Sequence, residues 1–427
     1  MKLRDIIAPT LVLFACFESL AANPQRHRPR NPNAKVTVVG NHGESPDSVR
    51  MAFEDNAPAN RNIEGIPRFA IVGKEGNFYL GIGANMKLNG VYDWGDEAGS
   101  VNNFSPALFT KPGEGDNAGA AFSAQESNVY LNIVALPGKK DRFSLFLSVN
   151  FKDDKYMMKL SHFYARYRGL TIGYTDSPFV DGDAVPLTLD DEGPCGAVSS
   201  SSVVIYWTQD LGHGFSCQGG FDAPGHTLTY DDNTSELNNA YVSIPVAAQY
   251  RWSDGSHVRL SGLLRPLQYR DQISHRNRML TGWGVQVSGL WGFLPKLCLY
   301  YDAVVGKGIA DYINDVSGTG ADATPSFVNK GRENASTCWG YSLGLSYDIV
   351  KKLSAHAVYS QVRVNPHSQS IIPESGYRYG QTFTANMIYN INQFVTVGLE
   401  YNWGKKATFE EGKLHVNRMQ ALFSLAF

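Results

Sequence analysis

Over most of its length the chain alternates apolar and polar positions with a period of two. At the C-terminus Met419, Ala421, Phe423, Leu425 and Phe427 are apolar, while Arg418, Gln420, Leu422, Ser424 and Ala426 form a more polar series between them. Such alternation, ending on an aromatic, predicts a strand over 415–427 with one greasy face. Near the other end, Leu80, Ile82, Ala84, Met86 and Leu88 alternate with Gly81, Gly83, Asn85, Lys87 and Asn89. Read with the turn residues, the pattern predicts strands at 77–95, 121–136, 141–153, 156–168, 169–176, 198–210, 214–222 and 239–253. Further strands follow at 256–270, 279–293, 295–308, 336–350, 352–365, 376–391, 393–404 and 413–427, sixteen in all.

The connections sort by length. After even-numbered strands they are tight: 137–140, Arg168 with Gly169, Gly212 with His213, 253–255, 293–295, 350–352, and Ile391 with Asn392. After odd-numbered strands many are long: 96–120, 177–197, 223–238 and 309–335. A soluble sandwich has no reason to sort its loops this way, whereas an outer-membrane barrel has short periplasmic turns and long external loops. An even number of strands also returns both termini to the periplasmic side. Tyr92, Trp94, Trp207, Tyr250, Trp252, Trp291, Phe293, Tyr347, Tyr401 and Trp403 fall near strand ends. There, at the headgroup level, a ring can be buried while its polar tip stays wet. The expected fold is all-β, a transmembrane antiparallel β-barrel of about sixteen strands.

Composition agrees. The 427 residues include 42 Gly, 22 Tyr and 22 Phe, with 18% charged and 43% hydrophobic. Gly and aromatics without long apolar runs are what alternation in a membrane barrel produces, and no stretch beyond the leader is apolar enough for a helical span. The net charge of −2 points away from a nucleic-acid partner.

Residues 1–22 read as a signal peptide, with basic Lys2 and Arg4, an apolar stretch at 6–17 and small residues near a cleavage site at 19–22. Leu13, Phe14, Ala15 and Cys16 also suggest a lipoprotein box, which bulky Phe14 fits poorly. Residues 23–68, rich in Asn, Pro and Arg, lack periodicity and read as a flexible periplasmic linker. One short strand at 35–39 and a helical turn near 47–54 are expected within it. Residues 69–427 form the barrel domain. Cys195, Cys217, Cys298 and Cys338 have no metal-ligand spacing and read as isolated packing residues. No cofactor or bound metal is expected.

One region carries a resemblance. His162 and Tyr164 are followed by a hairpin with Gly169 and Gly173, then by a Pro- and Asp-rich loop after the fifth strand. Gly193, Pro194 and Gly196 close that loop, and Phe427 ends the chain. In this order the residues resemble the DcaP-like porins, trimeric sixteen-stranded outer-membrane channels, over 69–427. The resemblance implies a homotrimer in outer-membrane lipid. The ending Phe423, Leu425 and Phe427 resembles the signal read by barrel-assembly machinery. Two features depart: residues 23–68 show no heptads where the family implies a coiled coil, and Tyr206 stands where members tend to have a basic residue on the sixth strand.

In porins generally the loop after strand 5 folds inward as a constriction. Here it carries Asp176, Asp181, Asp183, Asp190, Asp191 and Glu192 and no Lys or Arg. An acidic wall at the constriction, a solvated acidic loop, and a calcium site built from hard oxygen ligands are the competing readings. Strand parity turns Lys87, Arg142, Arg166, Arg251, Arg259, Arg265 and Arg418 inward, because an Arg facing midplane lipid costs about 2–4 kcal/mol. Inward carboxylates are fewer: Asp93, Asp302 and Glu400. A basic wall facing an acidic loop sets a transverse field, and guanidinium groups attract carboxylates and phosphates. The expected function is passive diffusion of small hydrophilic solutes, with a preference for organic anions such as dicarboxylates. The alternative is a closed barrel acting as an anchor or structural partner in an envelope complex. With no GxSxG, HExxH or phosphate loop, no enzyme is expected and no catalytic residue is assigned.

Overall fold

The structure, a computed structural model, describes residues 35–427 except 41–42, 44, 60–64, 114–117, 153–155, 238–241, 374–375 and 410–411. The signal peptide expected at 1–22 and the first part of the expected linker lie outside the described residues. Sixteen antiparallel strands form a closed wall. The first eight are β1 (Phe78–Gly95), β2 (in two pieces, Gly119–Ser123 and Asn128–Ala135), β3 (Phe143–Asn150), β4 (Lys159–Tyr167), β5 (Leu170–Asp176), β6 (Ser201–Gly212), β7 (Phe215–Ala223) and β8 (Ile244–Arg251). The second eight are β9 (His257–Asp271), β10 (Arg276–Leu294), β11 (Leu297–Lys307), β12 (Thr337–Val350), β13 (Leu353–Asn365), β14 (Tyr377–Asn390), β15 (Val395–Thr408) and β16 (Lys413–Ala426).

Every strand position read from the alternation carries a strand. β15, expected to stop at 404, runs furthest past its expected end, to Thr408, while β8 starts at Ile244 rather than 239. Lys406 Nζ donates to the carbonyls of Ala107 and Phe109 at 2.8 and 3.0 Å, so the folded loop after β1 supports β15 beyond 404. At the turn end, Arg168 (φ 47°) and Gly169 (φ 86°) both adopt positive φ. That geometry lets a two-residue hairpin follow the strand twist.

The barrel closes where the last strand meets the first. β16 pairs with β1 from Val416 opposite Gly95 to Ala426 opposite Asn85. Phe427 continues the ladder, exchanging backbone hydrogen bonds of 2.8 and 2.9 Å with Ala84. Below it, Phe69–Val72 takes the remaining edge of β1, with Ala70 opposite Gly81 and Val72 opposite Tyr79. Thr37–Val39 then lies parallel to Phe69–Val72.

Alternation separates the two faces. Ile82, Met86, Leu88 and Tyr92 of β1 are exposed, whereas Tyr79, Lys87 and Asn89 are buried inside. The interior is occupied as well as polar. Loops 177–200 and 308–336 meet there, with Ser199 N–H donating to the Tyr312 carbonyl and Asn314 N–H to that of Ala197, both at 3.0 Å. Phe179, Val198, Ile309, Tyr312 and Ile313 join Leu263, Val304, Cys338 and Val362 of the wall in an apolar core.

The short strand expected at 35–39 and the helical turn expected near 47–54 are both present. Pro46–Asn56 is an α-helix, α1, capped by Ser45 Oγ accepting from Ser48 N–H at 3.1 Å, with Pro46 in its first turn. Its apolar face makes it fold: Val49, Ala52 and Phe53 are buried with Val36, Ile66, Tyr79 and Val134.

Candidate pore and its lining

Between the inner wall and the start of loop 177–200 lies a cavity of about 140 Å³. Its wall side is built two residues at a time, as pleating requires: Tyr206 and Thr208 on β6, Ser216 and Gln218 on β7, Gln249 and Arg251 on β8. Arg166 of β4 and Arg259 of β9 flank them, and Asp176, Asp181 and Asp183 face them, with Pro58 and Ala59 at the margin.

Part of this charge is already paired. Arg251 Nη2 lies 3.0 Å from Asp183 Oδ2. Asp181 Oδ2 lies 2.9 Å from His257 Nε2 and accepts from Ser288 Oγ at 2.7 Å. Burial alone would raise the Asp181 carboxyl, but His257 and Arg259 beside it outweigh that and hold it at about 2. Arg259 Nη2 donates to the Pro178 carbonyl at 2.5 Å and to Gln218 Oε1 at 2.7 Å, both neutral acceptors. Ser201 Oγ donates to Asp176 at 2.7 Å.

The other residues read from the sequence as lining go elsewhere. Arg418 is 0% exposed, chelated by Asp93 at 2.7 and 2.8 Å and 3.8 Å from Asp190. Arg265 is 2% exposed between Asp311 at 3.2 Å and Asp322 at 2.8 Å. Lys87 Nζ lies 3.9 Å from Glu126, and Asp191 is paired with Lys152. Arg142 reaches Asp55 at 3.6 Å, and its Nη2 donates to the Ala52 carbonyl at 3.1 Å. These groups tie loops and α1 to the wall. Parity gives the side a residue faces and is silent about what covers it.

Sequence reasoning also missed how the acidic loop is held. Glu400 of β15 accepts from the N–H groups of Leu189 and Asp190 at 2.7 and 3.1 Å. Ser360 Oγ of β13 accepts from Gly196 N–H at 2.8 Å, and Asp302 of β11 from Val198 N–H at 3.4 Å. Parity had turned Glu400 and Asp302 inward, and their isolation among neutral residues was the available signal. Among the described residues no group of three or more His, Cys, Asp or Glu side chains is placed to hold a metal ion. Cys195, Cys217, Cys298 and Cys338 are free thiols.

The whole barrel superposes on solved structures. The outer membrane channel DcaP of Acinetobacter baumannii matches with a TM-score of 0.71 at 17% identity, covering 83% of this chain and 99% of that one. The fold is that of an outer-membrane porin. The same porin fold appears in OmpT, an outer membrane protein of Vibrio cholerae, with a TM-score of 0.52, 8% identity, and 83% and 99% of the two chains covered. An anion-selective porin from Comamonas acidovorans matches at 0.51 and 10% identity, over 82% of this chain and all of that one. No family model and no curated protein matches the sequence.

Proposed function

We propose that the protein is a passive outer-membrane channel for small hydrophilic solutes, with a preference for organic anions such as dicarboxylates. The observation that carries this reading is the cavity where Arg166, Arg251 and Arg259 face Asp176, Asp181 and Asp183 inside a porin-fold barrel. Opposed charges across a narrow aqueous space orient a polar solute. Arg259 spends its donors on neutral oxygens, so an entering carboxylate offers it stronger, charge-assisted partners. Loop 177–200 is the constriction in this reading. The turn end faces the periplasm, together with both termini, and the exposed apolar outer face meets lipid and two further copies in a homotrimer. The C-terminal Phe423, Leu425 and Phe427 present the signal to barrel-assembly machinery.

A second reading, a closed barrel serving as an anchor or structural partner in an envelope complex, is favoured by the loops and α1 inside the wall. Planar-bilayer recording under a salt gradient tests both. A reversal potential on the anion side is expected, and a firm cation preference would sink the anion part. Silence from protein whose gel mobility shifts on heating would favour the closed barrel.

A further inference from the structure

We infer that residues 46–59 and the returning limb 65–68 form a resident stopper in the turn-end half of the lumen. This stopper narrows the bore and partly covers two of its arginines. The inference rests on the channel reading above.

The placement follows from which face of the wall the stopper touches. Tyr130, Asn132, Phe146 and Tyr164 are buried, whereas their strand neighbours Val129, Phe143 and Phe163 are exposed to the outside. The stopper meets the buried set. Ala57 packs with Tyr130, Phe146 and Tyr164, and Tyr164 Oη donates to the Asn56 carbonyl at 2.5 Å.

One wall residue clamps both limbs. Asn132 Nδ2 donates to the carbonyls of Phe53 at 2.9 Å and Gly65 at 3.0 Å, and its Oδ1 accepts from Asn56 Nδ2 at 2.7 Å. The wall is cut to receive them: a Cβ at inward-facing Gly81 would collide with Pro67 and come within 3.0 Å of the Phe53 ring. Arg68 Nε closes the returning limb by donating to the Gln393 carbonyl at 2.9 Å.

The stopper also changes the charge of the lumen. The Asp55 carbonyl accepts from Arg166 Nη1 at 2.9 Å, and the Ala52 carbonyl accepts from Arg142. The Asp55 carboxylate adds a negative charge 3.6 Å from Arg142. A helix C-terminus carries partial negative charge, so α1 presents its electronegative end to these two guanidinium groups. Removing it would widen the path and expose both arginines further to solute.

The experiment records single-channel conductance and reversal potential for the full chain, a variant lacking 35–66, and Asn132→Leu, each first shown to be heat-modifiable. The structure calls for at least a twofold rise in conductance and a shift toward anion selectivity in both variants, smaller in Asn132→Leu. If the deletion variant fails to fold, Asn132→Leu decides alone. A silent full chain with a conducting variant would also support the stopper. A conducting full chain with folded variants unchanged in both readouts overturns the stopper and leaves the channel standing. Silence from all three folded proteins overturns both.

Discussion

Arg418 and Asp93 sit directly opposite each other across the seam, on the last and first strands, joined by hydrogen bonds of 2.7 and 2.8 Å. Arg418 also donates to the Val101 carbonyl at 3.1 Å and approaches Asp190. One side chain thus binds the seam, the loop after β1 and the loop after β5.

Removing it should therefore loosen more than the seam. Truncating one partner of a buried pair costs about 3–5 kcal/mol, because the other charge is left uncompensated. Arg418→Leu is expected to lower the temperature at which the compact gel form disappears. Arg418→Leu with Asp93→Leu should recover part of the loss, and a double variant worse than the single would contradict this account.

Deleting Phe427 removes two backbone hydrogen bonds to Ala84 and the terminal ring from the edge of the seam. The expected outcome is a smaller membrane-inserted fraction in cells, read by fractionation and heat modifiability. Material that does insert should conduct as the parent does. Normal insertion without Phe427 would return the segment to the status of an ordinary strand.

Gly196 lies flat on the inner wall. A Cβ there would collide with the Gln361 carbonyl and approach the Tyr341 carbonyl to 2.8 Å, both backbone atoms that cannot move aside. Gly196→Val should lift the closing end of the acidic loop while leaving the strands intact. Altered conductance with unchanged heat modifiability is the expected pair of readouts.

Acid should change selectivity through the same loop. Burial pushes Asp190 up to about 7, with Arg418 opposing and Glu400 adding to the rise, and burial likewise raises Glu192 to about 7. Asp191 is buried too, but Lys152 beside it brings it down to about 2, so it stays ionised. Raised carboxyls are charged above their pKa and neutral below it. As the pH falls through 7 the loop loses up to two negative charges, and the reversal potential should move toward anions. Asp190→Asn with Glu192→Gln should flatten that dependence.

The barrel was legible because each strand faces two solvents, and alternation records that directly, as in Leu80 to Asn89 and Met419 to Phe427. Alternation is local. It placed Arg166, Arg251 and Arg259 beside the cavity and Arg265 and Arg418 on the same inner face, yet nothing near them in sequence reveals Asp311, Asp322 or Asp93. Those partners arrive from loops and a strand far along the chain, so their masking becomes visible only once the barrel has closed. The same holds for the helix at Pro46–Asn56: a helical turn near 47–54 was legible, but Tyr79 and Val134, which bury its apolar face, lie on the barrel wall, and nothing in the Pro- and Asn-rich stretch points to them.

The edge of β1 is shared end to end by Phe427, bonded at Ala84, and Phe69–Val72, which begins its pairing at Gly81. The interval is three residue rises, roughly 10 Å. Residues continuing in register beyond Phe427 would therefore run into Ala70 and compete for its hydrogen bonds.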